Sequence, residues 1–289
     1  MRVAVIGLGS MGRRHALNIL ALGHEVVGVD PAGTDLPIRC EPSIAALGSL
    51  DAAVIATPAW RHLTDATPFL SLPLLVEKPL GLITDSWPLS DRLWVGYNWR
   101  FDPGVAELRE WAVAHPRNWA RFEYSGDLAD WRPGVPPPPS PYLRSGLLLE
   151  SSHEIDLALW MVRPWTIQVA VIPGPYSSCD AAVISGQSEQ GIYEVHVDWM
   201  TPTGGHRAAM IGCSEGLRSW VAPPTAEQTY RAEAEAFMES VAGRVDARLA
   251  TETDGLQVLE FIRTAQKVPA AFAKIMVDVV FGRPDPRAN

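Results

Sequence analysis

Residues 1–12, MRVAVIGLGSMG, decide the fold of this chain. The first six form an apolar, β-branched run, short enough to be a buried parallel strand. The spacing G-x-G-x-x-G follows at once, and residues 13–20 have the pattern of a helix. In such a turn Gly7 permits the sharp bend, Gly9 lets the backbone approach a pyrophosphate, and Gly12 allows the helix to pack on the strand. The stretch predicts a dinucleotide site at the helix N-terminus, formed by Gly7, Leu8, Gly9, Ser10, Met11 and Gly12.

A second apolar strand, residues 24–29, ends at Asp30. This acid follows the glycine turn at close to the spacing of roughly 20 residues at which a carboxylate binds the adenosine ribose. A carboxylate there accepts a hydrogen bond from the 2′-hydroxyl and repels a 2′-phosphate. We therefore predict NAD as the cofactor. NADP is the alternative, because Arg13 and Arg14 lie in the first turn of the predicted helix and Arg39 lies nearby. Cations at these positions would weaken the preference for NAD.

Composition bounds the remaining possibilities. A length of 289 residues predicts two domains, and a hydrophobic fraction of 47% is ordinary for a folded protein. The net charge of −9, without a basic stripe, argues against nucleic acid as a partner. Three scattered cysteines without a C-x-x-C pair indicate a cytoplasmic protein with no metal site. We see no signal peptide and no membrane-spanning stretch, so no membrane partner is expected.

The first half of the chain alternates strands with helices, which predicts a doubly wound parallel sheet of the Rossmann type. Ligands of such sheets bind at the carboxyl ends of the strands. Polar residues fall at that edge in three places: Thr57-Pro58, Glu77-Lys78-Pro79 and Tyr97-Asn98. These positions extend the predicted cofactor site to Ala56, Thr57, Pro58, His62, Glu77, Lys78 and Asn98.

The second half has a different pattern. Residues 192–199 alternate apolar and polar side chains, as in an antiparallel strand with one wetter face. Residues 146–160 are mainly helical in pattern, and a continuous helix would place Glu150, His153 and Asp156 on one face. We predict a Rossmann domain over residues 1–96. An α+β domain with an open-faced, mostly antiparallel sheet would follow over residues 97–289.

Several motifs together resemble the glucose-fructose oxidoreductase, inositol dehydrogenase and MocA family. They are the glycine turn with His15, the Glu77-Lys78-Pro79 tripeptide, the stretch from Gly96 to Phe101, and His153-Glu154-Ile155-Asp156. A late segment, residues 253–260, is similar to the C-terminal helix of the family. The resemblance covers nearly the whole chain, and each piece alone is common.

The resemblance implies hydride transfer between a nicotinamide and a hydroxyl or ketone of a sugar, a cyclitol or a sugar-derived intermediate. In the family scheme, a lysine and a histidine at the positions of Lys78 and His153 flank the reacting carbon. An ammonium polarises the substrate oxygen, and an imidazole that titrates near neutrality exchanges its proton. The family usually has Asp where this chain has Leu149, and Glu150 is the carboxylate that would replace it. Further substrate contacts are expected from Tyr97, Arg100, Trp131, Arg132 and Asp156.

Two other functions remain open at this point. A glycosidase or lyase would use NAD only in transient internal redox chemistry, and a sensor would bind the dinucleotide without catalysis. Lys78 and His153 argue against a sensor. We also expect a homodimer or larger homo-oligomer, because an open sheet face needs a cover. Trp199 and Trp220 are the residues expected on that face.

Overall fold

The structure is a computed structural model that describes residues 1–116, 118–127, 146–173, 179–201 and 205–267. The chain divides into two units. The first unit contains Met1–Ala106 together with Pro223–Leu259, and the second contains Glu107–Ala222 together with the chain from Glu260 onward. The first unit thus includes a late segment that lies within residues 97–289, the range assigned to the second domain from sequence.

A seven-stranded sheet forms the centre of the first unit, in the order β13-β6-β5-β4-β1-β2-β3. Six strands are parallel, and only β13 is antiparallel to its neighbour. The predicted doubly wound parallel sheet is therefore confirmed. The strands are β1 (Arg2–Ile6), β2 (Glu25–Val29), β3 (Arg39–Glu41), β4 (Ala52–Ile55), β5 (Leu74–Glu77), β6 (Leu93–Gly96) and β13 (Ala250–Thr251).

Short helices connect these strands. The first follows the glycine turn directly, while the connections after β4 and β6 begin with single turns of 3-10 helix. The helices of this region are α1 (Ser10–Ala21), α2 (His62–Ala66) and α3 (Pro103–Ala114), and the 3-10 turns are Ile44–Ala46, Ala59–Arg61, Thr67–Phe69 and Asn98–Phe101.

The late helix α6 (Glu227–Val241) explains why residues 223–259 join the first unit. Its apolar face is buried in the same core as the β1 side chains Val3 and Val5. Phe237 is fully buried, and its ring meets Trp94 of β6 edge-on with 6.0 Å between ring centroids. Burying a side chain of this size contributes about 1.5–3 kcal/mol. The late segment therefore completes the core of the parallel sheet.

The second unit is built on a six-stranded sheet in the order β12-β11-β7-β10-β9-β8. Strands β7 and β10 are parallel, and every other neighbouring pair is antiparallel, which confirms the predicted mostly antiparallel sheet. Helix α5 (Ser152–Val162) packs on β7 and β10, just after α4 (Gly146–Glu150). The strands are β7 (Asn118–Ser125), β8 (Gln168–Ile172), β9 (Ala181–Ser188), β10 (Gly191–Asp198), β11 (His206–Cys213) and β12 (Gly216–Val221).

The expectation that Trp199 and Trp220 lie on an open face of this sheet is wrong. Both are buried within the single chain. A Cβ on Gly146 would come within 2.9 Å of the Trp199 ring, and Trp220 pairs with the buried Ala209. Their large apolar surface is thus covered within one copy of the chain. Register places other apolar side chains on the opposite face, where they are exposed: Trp119, Ile192, Leu217 and Val221.

One further helix, α7 (Glu252–Lys267), ends the described part of the chain. No helix within the described residues is both long enough and apolar enough to cross a membrane. The three cysteines, Cys40, Cys179 and Cys213, form no disulfide.

Candidate active site

The glycine turn has the close approaches that its spacing predicts. Gly7 has a φ of 84°, and a Cβ there would come within 2.9 Å of the Ala56 carbonyl oxygen. A Cβ on Gly12 would lie 1.8 Å from the Gly7 carbonyl oxygen, so helix α1 could not pack against the turn. A Cβ on Gly9, in contrast, would meet nothing within 4 Å. The turn is therefore closely packed at Gly7 and Gly12, whereas the space beside Gly9, at the start of α1, is open.

This open space fits a pyrophosphate. Gly9 is the N-cap of α1, and no side chain caps the helix there. The first N–H groups of a helix lack partners within the helix, and its dipole is positive at this end. Backbone that a side chain does not shield can approach phosphate oxygens closely. The residues present thus suit the phosphates of a dinucleotide.

Asp30 joins the glycine turn to the end of β2. The Leu8 N–H donates to Oδ2 of Asp30 at 2.8 Å, and the Ala32 N–H donates to Oδ1 at 2.9 Å. The side chain is half-buried. An ionised carboxylate offers about four acceptor positions, so two backbone bonds leave capacity for a ribose hydroxyl. The structure therefore holds Asp30 in a fixed position beside the turn.

The three arginines close in sequence to Asp30 each have a carboxylate partner. Their ion pairs are Arg13 with Asp35, Arg14 with Glu227, and Arg39 with Glu41. The hydrogen bond from Arg13 lowers the pKa of Asp35, and that of the Arg13 guanidinium is raised in turn by Asp35. The cations that would attract a 2′-phosphate are thus already engaged.

Glu77 is buried where β5 ends, directly before Lys78. Its Oε1 lies 2.7 Å from Nε2 of His15, and its Oε2 accepts a hydrogen bond of 3.1 Å from the Lys78 N–H. Burial is the largest influence and would raise the pKa of Glu77. The hydrogen bond from His15 and the charges of His15, Lys78 and His62 outweigh it, so the pKa is lowered. An ionised carboxylate therefore anchors the backbone of Lys78, whose side chain is half-buried.

His62 occupies the space between the ends of β4 and β5. Its Nε2 lies 2.7 Å from the Thr57 carbonyl oxygen, and its Nδ1 lies 3.0 Å from that of Pro79 and 3.3 Å from that of Leu80. The ring is 1% exposed. Although sequence placed it in the cofactor site, its ring nitrogens face backbone carbonyls of the two loops.

Three predicted site residues after β6 are buried in the first unit. The Asn98 amide donates to the Thr229 hydroxyl of α6 at 2.6 Å. Tyr97 is 1% exposed, and the Arg100 guanidinium lies 3.4 Å from the carboxylate of Asp254. These contacts join the turn after β6 to α6 and to the start of α7, and the direct contact of Tyr97 and Arg100 with substrate stays a prediction.

The second unit carries the other predicted residues. Glu150 ends α4 and His153 lies in the first turn of α5, so the continuous helix expected from sequence is interrupted at Ser151, where φ is −88° and ψ is 23°. His153 and Asp156 are one turn apart on α5 and share a face. All three predicted side chains are buried. Trp131 and Arg132 lie outside the described residues.

An ion pair fixes α5 to the sheet beside His153. Glu154, 1% exposed, pairs with Arg207 of β11, whose guanidinium also lies 5.0 Å from the centroid of the Tyr124 ring. No local pattern predicts this contact, because its partners are far apart in the chain. The α6 residues Glu227 and Thr229 also contact residues that are far away in the chain, and neither lies in a recognisable motif.

Within the described residues, no group of three or more His, Cys, Asp or Glu side chains is arranged to hold a metal ion. The candidate residues therefore fall into two sets, one in each unit. The glycine turn, Asp30, Glu77 and Lys78 belong to the first unit, while Glu150, His153 and Asp156 belong to the second.

No family model matches the chain. A curated relative, myo-inositol dehydrogenase Hyg17 of Streptomyces leeuwenhoekii, is 34% identical over 203 residues, which are 62% of this chain and 61% of that protein. The match thus spans about three fifths of the relative's length.

Two solved structures share the fold. GenD2 from gentamicin A biosynthesis, in complex with NAD, has a TM-score of 0.77 at 21% identity and covers 94% of both chains. A myo-inositol dehydrogenase from Corynebacterium glutamicum has a TM-score of 0.75 at 18% identity, covering 94% of this chain and 97% of that one. The chain thus has the fold of a myo-inositol dehydrogenase and is similar in sequence to another, which agrees with the resemblance to the glucose-fructose oxidoreductase, inositol dehydrogenase and MocA family.

Proposed function

We propose that this protein is an NAD-dependent oxidoreductase acting on a hydroxyl or ketone of a sugar or cyclitol. The observation that carries the proposal is the open glycine turn beside a fixed Asp30, on the same sheet edge as Lys78. A relative in sequence is a myo-inositol dehydrogenase, and a structure of the same fold holds NAD. Both support the proposed chemistry.

The first unit would bind the cofactor in three places. The N–H groups at the start of α1 would hold the pyrophosphate, and Asp30 would accept a hydrogen bond from the ribose 2′-hydroxyl. The ends of β4, β5 and β6 would border the nicotinamide, at Ala56, Thr57, Pro58, Glu77, Lys78 and Asn98. When bound, NAD supplies the acceptor for a hydride. The engaged arginines favour NAD over NADP.

The chain's own residues would manage the proton. In alcohol oxidation the carbon gives up hydride to the cofactor while the hydroxyl loses its proton, leaving a carbonyl. His153 would accept that proton, and the Lys78 ammonium would stabilise the negative charge that develops on oxygen. Glu150 would orient the imidazole or bind a substrate hydroxyl, and Asp156 would bind another. In reduction the same groups act in reverse.

Substrate identity would be set in the second unit. Besides Asp156, Trp131 and Arg132 are proposed contacts, because arginine next to an aromatic ring suits planar or anionic groups. Tyr97 and Arg100 are further proposed contacts, and the ion pair of Arg100 with Asp254 would hold its guanidinium in place. We further propose that a second copy covers the exposed apolar face of the six-stranded sheet, giving a homodimer or larger oligomer.

Spectroscopy of the reaction tests the proposal. The purified protein would be incubated with NAD and a panel of cyclitols and sugars, or with NADH and a panel of keto-sugars, and NADH absorbance followed against product by mass spectrometry. We expect one NADH formed for each alcohol oxidised, or one consumed for each ketone reduced. A glycosidase or lyase with transient redox chemistry would release product with no net NADH. Tight NAD binding without turnover of any panel member would favour the sensor.

A further inference from the structure

The His62 imidazole bridges two loops that the proposed function uses. One loop follows β4 and contains Thr57, and the other follows β5 and contains Lys78. The shortest contact, 2.7 Å, joins Nε2 to the Thr57 carbonyl oxygen, and Nδ1 faces the carbonyls of Pro79 and Leu80. The carbonyls on the Nδ1 side thus belong to the two residues directly after Lys78.

The protonation state of the ring sets how many of these carbonyls it can bind, because both of its nitrogens face acceptors. Burial is the largest influence and lowers the pKa of His62, while the three carbonyls and the charge of Glu77 act in the opposite direction. A neutral imidazole donates one hydrogen bond and an imidazolium donates two. In both states the ring fills the space between the loops and fixes at least one of them.

We propose that His62 is a positioning residue for Lys78, and that it does so without touching the cofactor. It holds the backbone after Lys78 against the loop of the neighbouring strand, so that the ammonium is presented at a fixed point of the sheet edge. Glu77 fixes the backbone on the N-terminal side of Lys78, because its carboxylate accepts a hydrogen bond from the Lys78 N–H. This inference rests on the proposed function, in which Lys78 stabilises charge on the substrate oxygen.

Two substitutions separate positioning from cofactor contact. His62→Leu keeps the bulk and removes every donor, whereas His62→Gln keeps an amide with two N–H donors. For Leu we expect kcat to fall by about 10- to 100-fold, the scale of a displacement of about 1 Å, with the Kd for NAD within about twofold of wild type. For Gln we expect most of the activity to return. The matched control is His115→Gln in the second unit, where Nδ1 faces the Trp111 carbonyl oxygen at 2.8 Å.

A readout without substrate keeps this inference separate from the proposed function. Acetic anhydride labels exposed amines, and mass spectrometry would compare the labelling rate of Lys78 with that of Lys267, an exposed lysine at the end of α7. We expect His62→Leu to change the relative rate several-fold in the protein without cofactor, and His62→Gln to restore it. The labelling rates test the inference even if no substrate turns over. Absence of turnover would count against the proposed function only.

Three results would overturn the inference. One is a His62→Leu protein with unchanged kcat and unchanged Lys78 labelling. Another is a Kd for NAD that rises in parallel with the loss of kcat, which would make His62 a cofactor contact. The last is a His62→Gln protein that is as impaired as His62→Leu although circular dichroism shows that it is folded. Hydrogen-bond donors to the carbonyls would then be irrelevant.

Discussion

At the scale of single residues, Asp35 is expected to influence the choice of cofactor. It holds Arg13 in an ion pair at the surface, where the Arg13 side chain is 38% exposed and the Asp35 side chain 79%. Surface pairs contribute little to stability, but this one decides where a guanidinium lies. In Asp35→Ala the freed Arg13 can meet a 2′-phosphate, and one charge-assisted hydrogen bond, weakened by solvent and salt, predicts NADP binding tighter by about 3- to 10-fold.

Calorimetric titration of NAD and NADP into both proteins measures this effect. Glu25→Ala is the control, because it breaks the Arg2–Glu25 pair of the same unit, with its 2.8 Å contact, away from the carboxyl ends of the strands. Wild type should bind NAD more tightly than NADP. Unchanged NADP affinity in Asp35→Ala would show that Arg13 does not approach the ribose.

Lys78 and His153 are predicted to act on one oxygen atom. Lys78→Ala should leave NAD binding nearly intact, because the glycine turn and Asp30 hold most of the cofactor, and should lower turnover by about 10²-fold or more. His153→Ala should do the same and remove a kinetic pKa near neutrality. Because both residues serve one step, the double variant should be little worse than either single one.

Steady-state kinetics across pH would test this pair, with Lys267→Ala as a control on an exposed lysine. Losses that add fully in the double variant would assign the two residues to separate steps. A single variant with wild-type turnover would remove its residue from the mechanism.

At the scale of elements, the start of α7 carries a buried acid whose charge should destabilise the fold. Glu252 is 3% exposed, and its Oε2 accepts a hydrogen bond of 2.5 Å from the Ser90 N–H. Burial, the larger influence, raises the pKa of Glu252 despite that bond. Its contribution to stability is therefore fully present below the unfolded-state pKa and is lost as pH rises through the higher folded-state pKa.

Replacing Glu252 with Gln removes the charge and keeps an acceptor for Ser90. At about pH 7 the variant should be more stable than wild type, within the ~0.5–2 kcal/mol range of stabilising substitutions. The difference should shrink towards about pH 4, where glutamate is protonated in both folded and unfolded chains. Urea denaturation at several pH values measures it, with exposed Glu235→Gln as the control. A constant difference across pH would contradict the assignment.

Elements with a local cause could be predicted from sequence, and those with a distant cause could not. The glycine turn and buried strands follow from nearby residues, as does the parallel order of the first sheet. The break at Ser151 has only a weak local signal, because the stretch LLLESSHEIDL contains neither glycine nor proline and only the spacing Ser151-x-x-Glu154 is typical of a helix start. Trp199 and Trp220 are buried within a single chain, Trp199 beside Gly146 of α4, and alternation of polar and apolar residues does not reveal this.

At the scale of the whole molecule, the first unit depends on a helix that the chain supplies more than 100 residues after Ala106. Asn98 reaches Thr229 of α6, and Arg14 of α1 reaches Glu227. Such contacts leave no trace in a local pattern, which is why a sequence boundary at residue 96 separates α6 from the sheet that it covers. The N-terminal segment alone would leave the α6 side of its core exposed.

Phe237→Ala tests this dependence in the full chain. Phe237 is fully buried, and its removal should cost about 3–5 kcal/mol of unfolding free energy, the usual cost of truncating a core aromatic residue. NAD should also bind more weakly, because α6 supports Asn98 and the first turn of α1 through its own side chains. Urea denaturation and calorimetric NAD titration would measure the two effects. Glu235→Ala, on the exposed side of α6, should stay within about 0.5 kcal/mol of wild type. If Phe237→Ala lowered stability no more than this control, α6 would not complete the core that presents the cofactor site.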